Sequence, residues 1–177
     1  MTERLIVHNK SELEKYKKVI SQNLEASVKE IKELVDNASA LEIFQCFKFD
    51  KIAVEPLSGK AENLIEVVNQ TQTYLVSLMA VEYLYNIFPT QTFIINWGNI
   101  PGYDIESEDG TIIAECFTAT SFRSNGKLVS DLKRLSLNDT AIHKYEFFYD
   151  KEFGEQHKKY YEEKYPGITI VKFEDIG

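Results

Sequence analysis

The apolar residues of this chain change their spacing near residue 90, and that change limits the folds open to it. Upstream they recur every three or four residues, as on helices; downstream they fall into short runs of period two, as on strands. Over 11–35, Leu13, Tyr16, Ile20, Leu24, Val28, Ile31, Leu34 and Val35 mark one side of a long amphipathic helix. Ser11 stands as its N-cap, with Glu14 as capping-box partner. A shorter helix is expected over 40–47, an irregular stretch with a short strand at 52–54, and a third helix over 62–88, closed by Pro89. Downstream, strands are expected over 92–96, 103–107 and 111–118. A helix over 125–137 with Ser124 as N-cap, a strand over 144–149, a helix over 152–164 and a strand over 168–173 follow. Three strands in close succession, then strands separated by helices, imply a mixed sheet, antiparallel first and parallel later, with helices on both faces.

A chain of 177 residues is long enough for one sizeable core. The expected organisation is an N-terminal helical extension, 1–60, packed on an α/β core, 61–177. No run of about 18 apolar residues occurs, so a membrane-spanning helix is not expected. The charged N-terminus and the two cysteines, too few for a disulfide framework, point to a cytoplasmic protein. The net charge of −8 runs against a nucleic-acid partner, since proteins that bind nucleic acid carry a basic footprint. Any such site has to find positive charge locally. The stretch 123–144 supplies it: Arg123, Lys127, Lys133, Arg134 and Lys144 stand against Asp131 and Asp139, a local balance of +3.

The most informative segment is 102–120. Asp109-Gly110 is a two-residue hairpin signal, because both central positions of a type I′ turn require positive φ. With that turn, facing residues have numbers that sum to 219. Asp104 then falls opposite Glu115, Ile105 opposite Ala114 and Glu106 opposite Ile113. Opposed side chains share a face, with Cβ atoms about 5 Å apart. One face carries Tyr103, Ile105, Ser107, Ile112, Ala114, Cys116 and Thr118 and belongs to the core. The other carries Asp104, Glu106, Ile113, Glu115 and Phe117. Two carboxylates placed this close repel each other, and a shared proton, a neighbouring Lys or Arg, or a divalent cation offsets the repulsion. A solvated outer face accounts equally for acidic residues on a hairpin.

An acid on one strand, a short hairpin, then Glu115-x-x on the next strand resembles the core of the PD-(D/E)XK superfamily, the restriction-endonuclease-like nucleases. The element order from the third helix onward is similar to theirs, so the resemblance covers about 62–173. It implies an α/β restriction-endonuclease-like core and a Mg²⁺- or Mn²⁺-dependent nuclease acting on DNA. Asp104 and Glu115 would be the metal ligands. Glu66, or Gln70 one turn on, matches the acid or amide that many members supply from the preceding helix. The chain departs from the pattern at two places: Phe117 occupies the lysine position, and Tyr103 stands where the motif has proline. Lys127 is the best substitute for the lysine, ahead of Lys133 and Arg134. Arg123, Lys127, Lys133 and Arg134 are the expected nucleic-acid contacts. The alternative is a catalytically silent member that binds nucleic acid or a protein partner, which Phe117 favours.

Other constellations carry less. The hairpin register sends Cys116 to the core face, where a thiol is a small hydrophobe rather than a nucleophile for His143. The three histidines have no zinc-ligand spacing, and no P-loop, dinucleotide fingerprint or GxSxG occurs. Glu66, Gln70, Thr73 and Ser77 form a polar stripe on one face of the third helix, read either as a solvated face or as a line of site groups. The long first helix is a cover for the core or a surface for a homodimer.

Overall fold

The computed structural model describes residues 3–98 and 100–175. In chain order the elements are β1 (Glu3–Val7), α1 (Lys10–Asn37), α2 (Ala40–Phe49), β2 (Ala53–Val54), β3 (Ala61–Glu62), α3 (Leu64–Ile87), β4 (Phe93–Trp97), β5 (Ile105–Ser107), β6 (Ile112–Thr118), α4 (Lys127–Ser136), β7 (His143–Tyr149), α5 (Glu155–Lys164) and β8 (Ile168–Phe173). None of the described helices is long and apolar enough to cross a membrane. The chain divides into two units, one made of residues up to Lys10 together with those from Thr73 onward, the other of Ser11–Gln72.

The first unit holds a six-stranded mixed sheet in the order β1-β4-β5-β6-β7-β8. The strands β1, β4, β5 and β6 pair antiparallel, and β6, β7 and β8 pair parallel through α4 and α5. From α3 onward the order of elements is the one expected from periodicity. The N-terminus is not: residues 3–7, assigned above to a helical extension, form the edge strand β1 against β4. Its Val7 is fully buried, and its carbonyl accepts from Tyr85 Oη at 2.8 Å. Three consecutive apolar residues, Leu5, Ile6 and Val7, in so short a segment show no alternation that would distinguish a strand.

Both faces of the sheet are covered. Toward α3 lie Cys116, Tyr145 and Phe147, with Tyr83 edge-on to both aromatic rings. Toward α4 lie Ile113, Phe117, Phe148 and Ile170, packed with Leu128, Leu132 and Leu135. The hairpin face carrying Glu115 and Phe117 is therefore the floor of a second core, and six of the seven β6 residues are buried. The α4 start also differs from expectation. A 3-10 turn at Ser124–Gly126 precedes it, and the N-cap is Gly126 in the left-handed region, not Ser124.

The second unit contains α1, α2, the β2–β3 hairpin and the first turns of α3. Helix α1 begins at Lys10, which puts Ser11 inside the first turn rather than at the cap. Ser27 Oγ accepts from Val54 N at 2.8 Å and Asn23 donates to the Pro56 carbonyl at 2.8 Å, tying the hairpin to α1. The buried Glu55 carboxylate accepts from Leu57 N and Ser58 N and closes the turn after β2.

Candidate functional site

The register across the β5–β6 hairpin is the expected one, with Ile105 opposite Ala114 and Glu106 opposite Ile113. The turn that sets it is not type I′. Asp109 is outside the positive-φ region and only Gly110 (φ 71°) occupies it; Gly110 N donates to the Ser107 carbonyl at 2.9 Å. Four residues, Glu108 to Thr111, link the strands, an even loop that preserves the pairing. Ser107 Oγ accepts from Ile112 N at 2.9 Å, and Asp109 accepts from Ser107 Oγ, Thr111 N and Thr111 Oγ1. These bonds hold the Asp109 carboxyl well below the usual range, the Ser107 hydroxyl contributing most.

Asp104 sits just before β5, on a turn built around Gly102. Gly102 has φ +124°, and a Cβ there would lie 2.7 Å from Glu106 Oε1. That oxygen accepts from Tyr103 N at 2.8 Å, and Asn96 Nδ2 donates to the Tyr103 carbonyl at 2.8 Å. The turn delivers Asp104 to β6: its Oδ2 accepts from Cys116 N at 2.8 Å, and its charge acts on Glu115. The two acids singled out in the sequence thus meet on one side of the sheet.

Glu115 is fully buried. Arg134 Nη1 stands 2.6 Å from Glu115 Oε1 as an ion pair without hydrogen-bond alignment, and both Glu115 oxygens lack a hydrogen-bond donor. Burial, and next the Asp104 charge, push the Glu115 carboxyl up to about 8, with Arg134 pulling the other way. Arg134 also donates to the Gly102 carbonyl and lies over the Tyr103 ring, 4.8 Å from its centroid.

Two further acids complete the cluster. Glu146 is the ladder partner of Glu115 on β7, is fully buried, and has no hydrogen-bond donor on either oxygen. Burial first, then the Asp131 and Glu115 charges, hold its carboxyl well above the usual range. Asp131, on α4, accepts from Lys127 Nζ at 2.7 Å, and burial raises its carboxyl despite that bond. Lys127, Asp131 and Arg134 are spaced i, i+4 and i+7, one face of α4 aimed at the acids. Burial works to lower the Lys127 ammonium, but Asp131, then Asp104 and Glu115, carry it upward.

Asp104 and Lys127 line one cleft of about 550 Å³, together with Thr73, Ser77, Trp97 and Phe117. The polar stripe of α3 is therefore divided. Thr73 and Ser77 reach the cleft, whereas Glu66 belongs to the other unit, where its side chain is exposed and its backbone N–H donates to Asn63 Oδ1. Among the expected phosphate contacts, Lys133 is exposed, Arg123 lies over the Phe122 ring, and Arg134 is engaged with Glu115. Phe117, at the lysine position, stacks on Phe148 with centroids 4.9 Å apart. Asp131, Glu146 and Trp97 were not singled out in the sequence. Asp131 had a local signal, its i+4 spacing from Lys127, while Glu146 becomes visible only once the parallel β6–β7 register is known.

The donor set suits a hard cation. Asp104 and Glu115 are oxygen donors, and Mg²⁺ is commonly held by one or two carboxylates plus waters and substrate phosphate. Among the described residues no three His, Cys, Asp or Glu side chains converge to hold a metal by themselves. No protein-family model matches the chain, and no curated protein matches it significantly. Fold and site define an α/β protein with a mixed six-stranded sheet, buried carboxylates at Glu115, Asp131 and Glu146, and a cleft lined by Asp104 and Lys127.

Proposed function

We propose that this chain is a divalent-metal-dependent nuclease that hydrolyses phosphodiester bonds of DNA, with a restriction-endonuclease-like core running from α3 to β8. The observation that carries the reading is the meeting of Asp104 and Glu115 beside a cleft that also holds Lys127. A bound Mg²⁺ or Mn²⁺ would stabilise the charge that develops on the attacking and leaving oxygens. Asp104 and Glu115 would hold it. Asp104 is oriented for this by the Cys116 N–H, which takes Oδ2 and leaves Oδ1 for the ion. Lys127 supplies the positive charge that Phe117 cannot, from the first turn of α4, where it faces the developing phosphate charge. Asp131 holds the ammonium in place and keeps it protonated.

A second reading is a nuclease-fold protein that binds without cleaving, favoured by the Phe117–Phe148 stack where the motif has lysine. Metal titration and cleavage separate the two. Mg²⁺ or Mn²⁺ at about 100 times its Kd stabilises the folded form by about 2.7 kcal/mol. For a chain of this size that is a rise in Tm of about 5–10 °C. The nuclease reading expects this rise in the parent, its loss in Asp104→Asn, and DNA cleavage by the parent alone. Metal binding without cleavage would favour the silent reading, and a parent indifferent to millimolar metal would refute the metal site.

A further inference from the structure

The loop after β6 and the first turn of α5 bring two hydrogen-bond donors face to face. Phe122 is 3 % exposed and meets Phe153 edge-on, with ring centroids 5.2 Å apart. Its ring carries two polar neighbours. The Arg123 guanidinium carbon lies 4.6 Å from its centroid, and the His157 ring 4.7 Å. The loop is pinned by Ser124 N, which donates to the Ser121 carbonyl at 2.8 Å. One buried ring thus holds both side chains in place, while Arg123 itself is exposed and His157 half-buried.

The helix that His157 begins sets its tautomer. Gly154 N donates to His157 Nδ1 at 3.2 Å, where a capping box has Glu or Gln as the acceptor. A ring nitrogen that accepts carries no proton, so the proton of the neutral imidazole is on Nε2. That nitrogen lies 3.5 Å from Arg123 Nη2. A guanidinium has donors and no acceptor. The contact is therefore between two N–H groups and is not a hydrogen bond. Among the described residues no carboxylate forms an ion pair with Arg123, and Glu152, on the loop before α5, takes the Ser121 hydroxyl at 3.2 Å instead. Two donors from separate elements, one of them cationic, stand ready for an acceptor between them. An anion answers the guanidinium charge. A carboxylate spends both its oxygens on a guanidinium fork, whereas a phosphate keeps a further oxygen for the imidazole N–H.

We propose that the Arg123 guanidinium and His157 Nε2–H form a binding site for phosphate, either the free ion or the phosphate of a monoester. The site stands beside the cleft, whose lining includes the next residues, Ser124 and Asn125. It does not rest on the nuclease reading, because it uses no metal and neither Asp104, Glu115 nor Lys127. At about pH 7.5, where a free imidazole is neutral, ¹⁵N-labelled protein is titrated with inorganic phosphate in the presence of chelator and at constant ionic strength. The Gly154 amide and the Arg123 Nε–H signals should shift to saturation, and acetate should not shift them. Arg123→Gln should weaken phosphate about tenfold or more. His157→Glu keeps an acceptor for Gly154 N and turns a carboxylate toward Arg123. It should melt no lower than the parent and lose the response to phosphate. Lys159→Gln, on the exposed side of α5, should bind phosphate as the parent does.

Comparing (dT)6 with and without a 5′-phosphate separates the two sources. Tighter binding of the phosphorylated hexamer than of inorganic phosphate assigns the site to a monoester, and equal binding assigns it to the free ion. The proposal is overturned by absence of saturation with phosphate, by an equal response to acetate, by equal binding of the two hexamers, or by unchanged affinity in Arg123→Gln. Should His157→Glu not fold, Arg123→Gln decides alone. DNA cleavage by a protein that ignores phosphate here refutes this site and leaves the nuclease; phosphate binding here in a protein that cleaves nothing does the reverse.

Discussion

Replacing Glu115 by Gln should make this protein less sensitive to alkaline pH. Glu115 is fully buried, and burial together with Asp104 raises its carboxyl from 4.5 to about 8. Each pH unit between those values is worth about 1.4 kcal/mol, so ionising Glu115 within the fold costs about 5 kcal/mol. The unfolded chain releases this proton near 4.5 and the folded chain near 8. Between those values the folded state binds more protons, so the stabilisation is complete below 4.5, declines as pH rises and is gone above 8. Glutamine has the shape of a protonated glutamic acid and does not ionise. Glu115→Gln should therefore match the parent near pH 5 and exceed it by several kcal/mol at pH 9. Arg134, which loses its ion pair but is half-exposed, returns to water at small cost. Urea unfolding from pH 5 to 9 in the presence of chelator measures the difference. Glu146 feels the Glu115 charge, so the difference curve reports position 115 together with the part of the Glu146 titration that depends on it. A difference that does not change with pH would refute the account of a buried acid held protonated by its surroundings.

Two further substitutions probe the supports of the site. Gly102→Ala combines φ +124° with a Cβ 2.7 Å from Glu106 Oε1, and should cost about 1–3 kcal/mol in urea unfolding; a neutral result would mean that the turn relaxes freely. Phe117→Ala should cost about 3–5 kcal/mol through the lost Phe148 stack. Phe117→Lys, which places the lysine of the resembled motif on β6, should destabilise by a similar amount, because an ammonium there enters the α4 core; a variant as stable as the parent would refute this placement.

The sequence carried the sheet and the acid pair because both depend on short-range rules. Alternation in 103–118 and an even loop set the register, and the register brought Asp104 to Glu115 even though the turn is a four-residue loop rather than type I′. Local patterns also located α4 and its buried leucines. What escaped depends on contacts between distant segments. Strand β1 has little pattern of its own and takes its conformation from β4. Glu146 reads as one polar residue in an apolar strand until β7 is laid parallel to β6 and faces it with Glu115. The basic count over 123–144 is a sum along the chain, and the fold distributes those side chains differently. Lys127 pairs with Asp131, Arg134 stands against Glu115 and Lys144 donates to the Asn138 carbonyl, while Arg123 and Lys133 are exposed.

Under the proposed function, the charges of the site account for a β6 without the lysine of the resembled motif. Asp104, Glu115, Asp131 and Glu146 act on one another, and Lys127 and Arg134 answer them. With every group ionised, the cluster holds two negative charges in excess where little water reaches. An interior does not sustain such an excess. Protons on Glu115 and Glu146 discharge it, which is the direction in which both carboxyls are displaced. Under the proposed function, Asp104 and Glu115 would hold a divalent cation whose charge would offset the same excess without protons. The cations that the site requires then come from α4, seven residues apart on one face, with Asp131 between them. Position 117 is released to serve the core, where Phe117 joins Phe148 under the leucines of the same helix. Helix α4 thus does two tasks on adjacent faces: it closes the core with Leu128, Leu132 and Leu135, and it sets the charge of the cleft with Lys127 and Arg134.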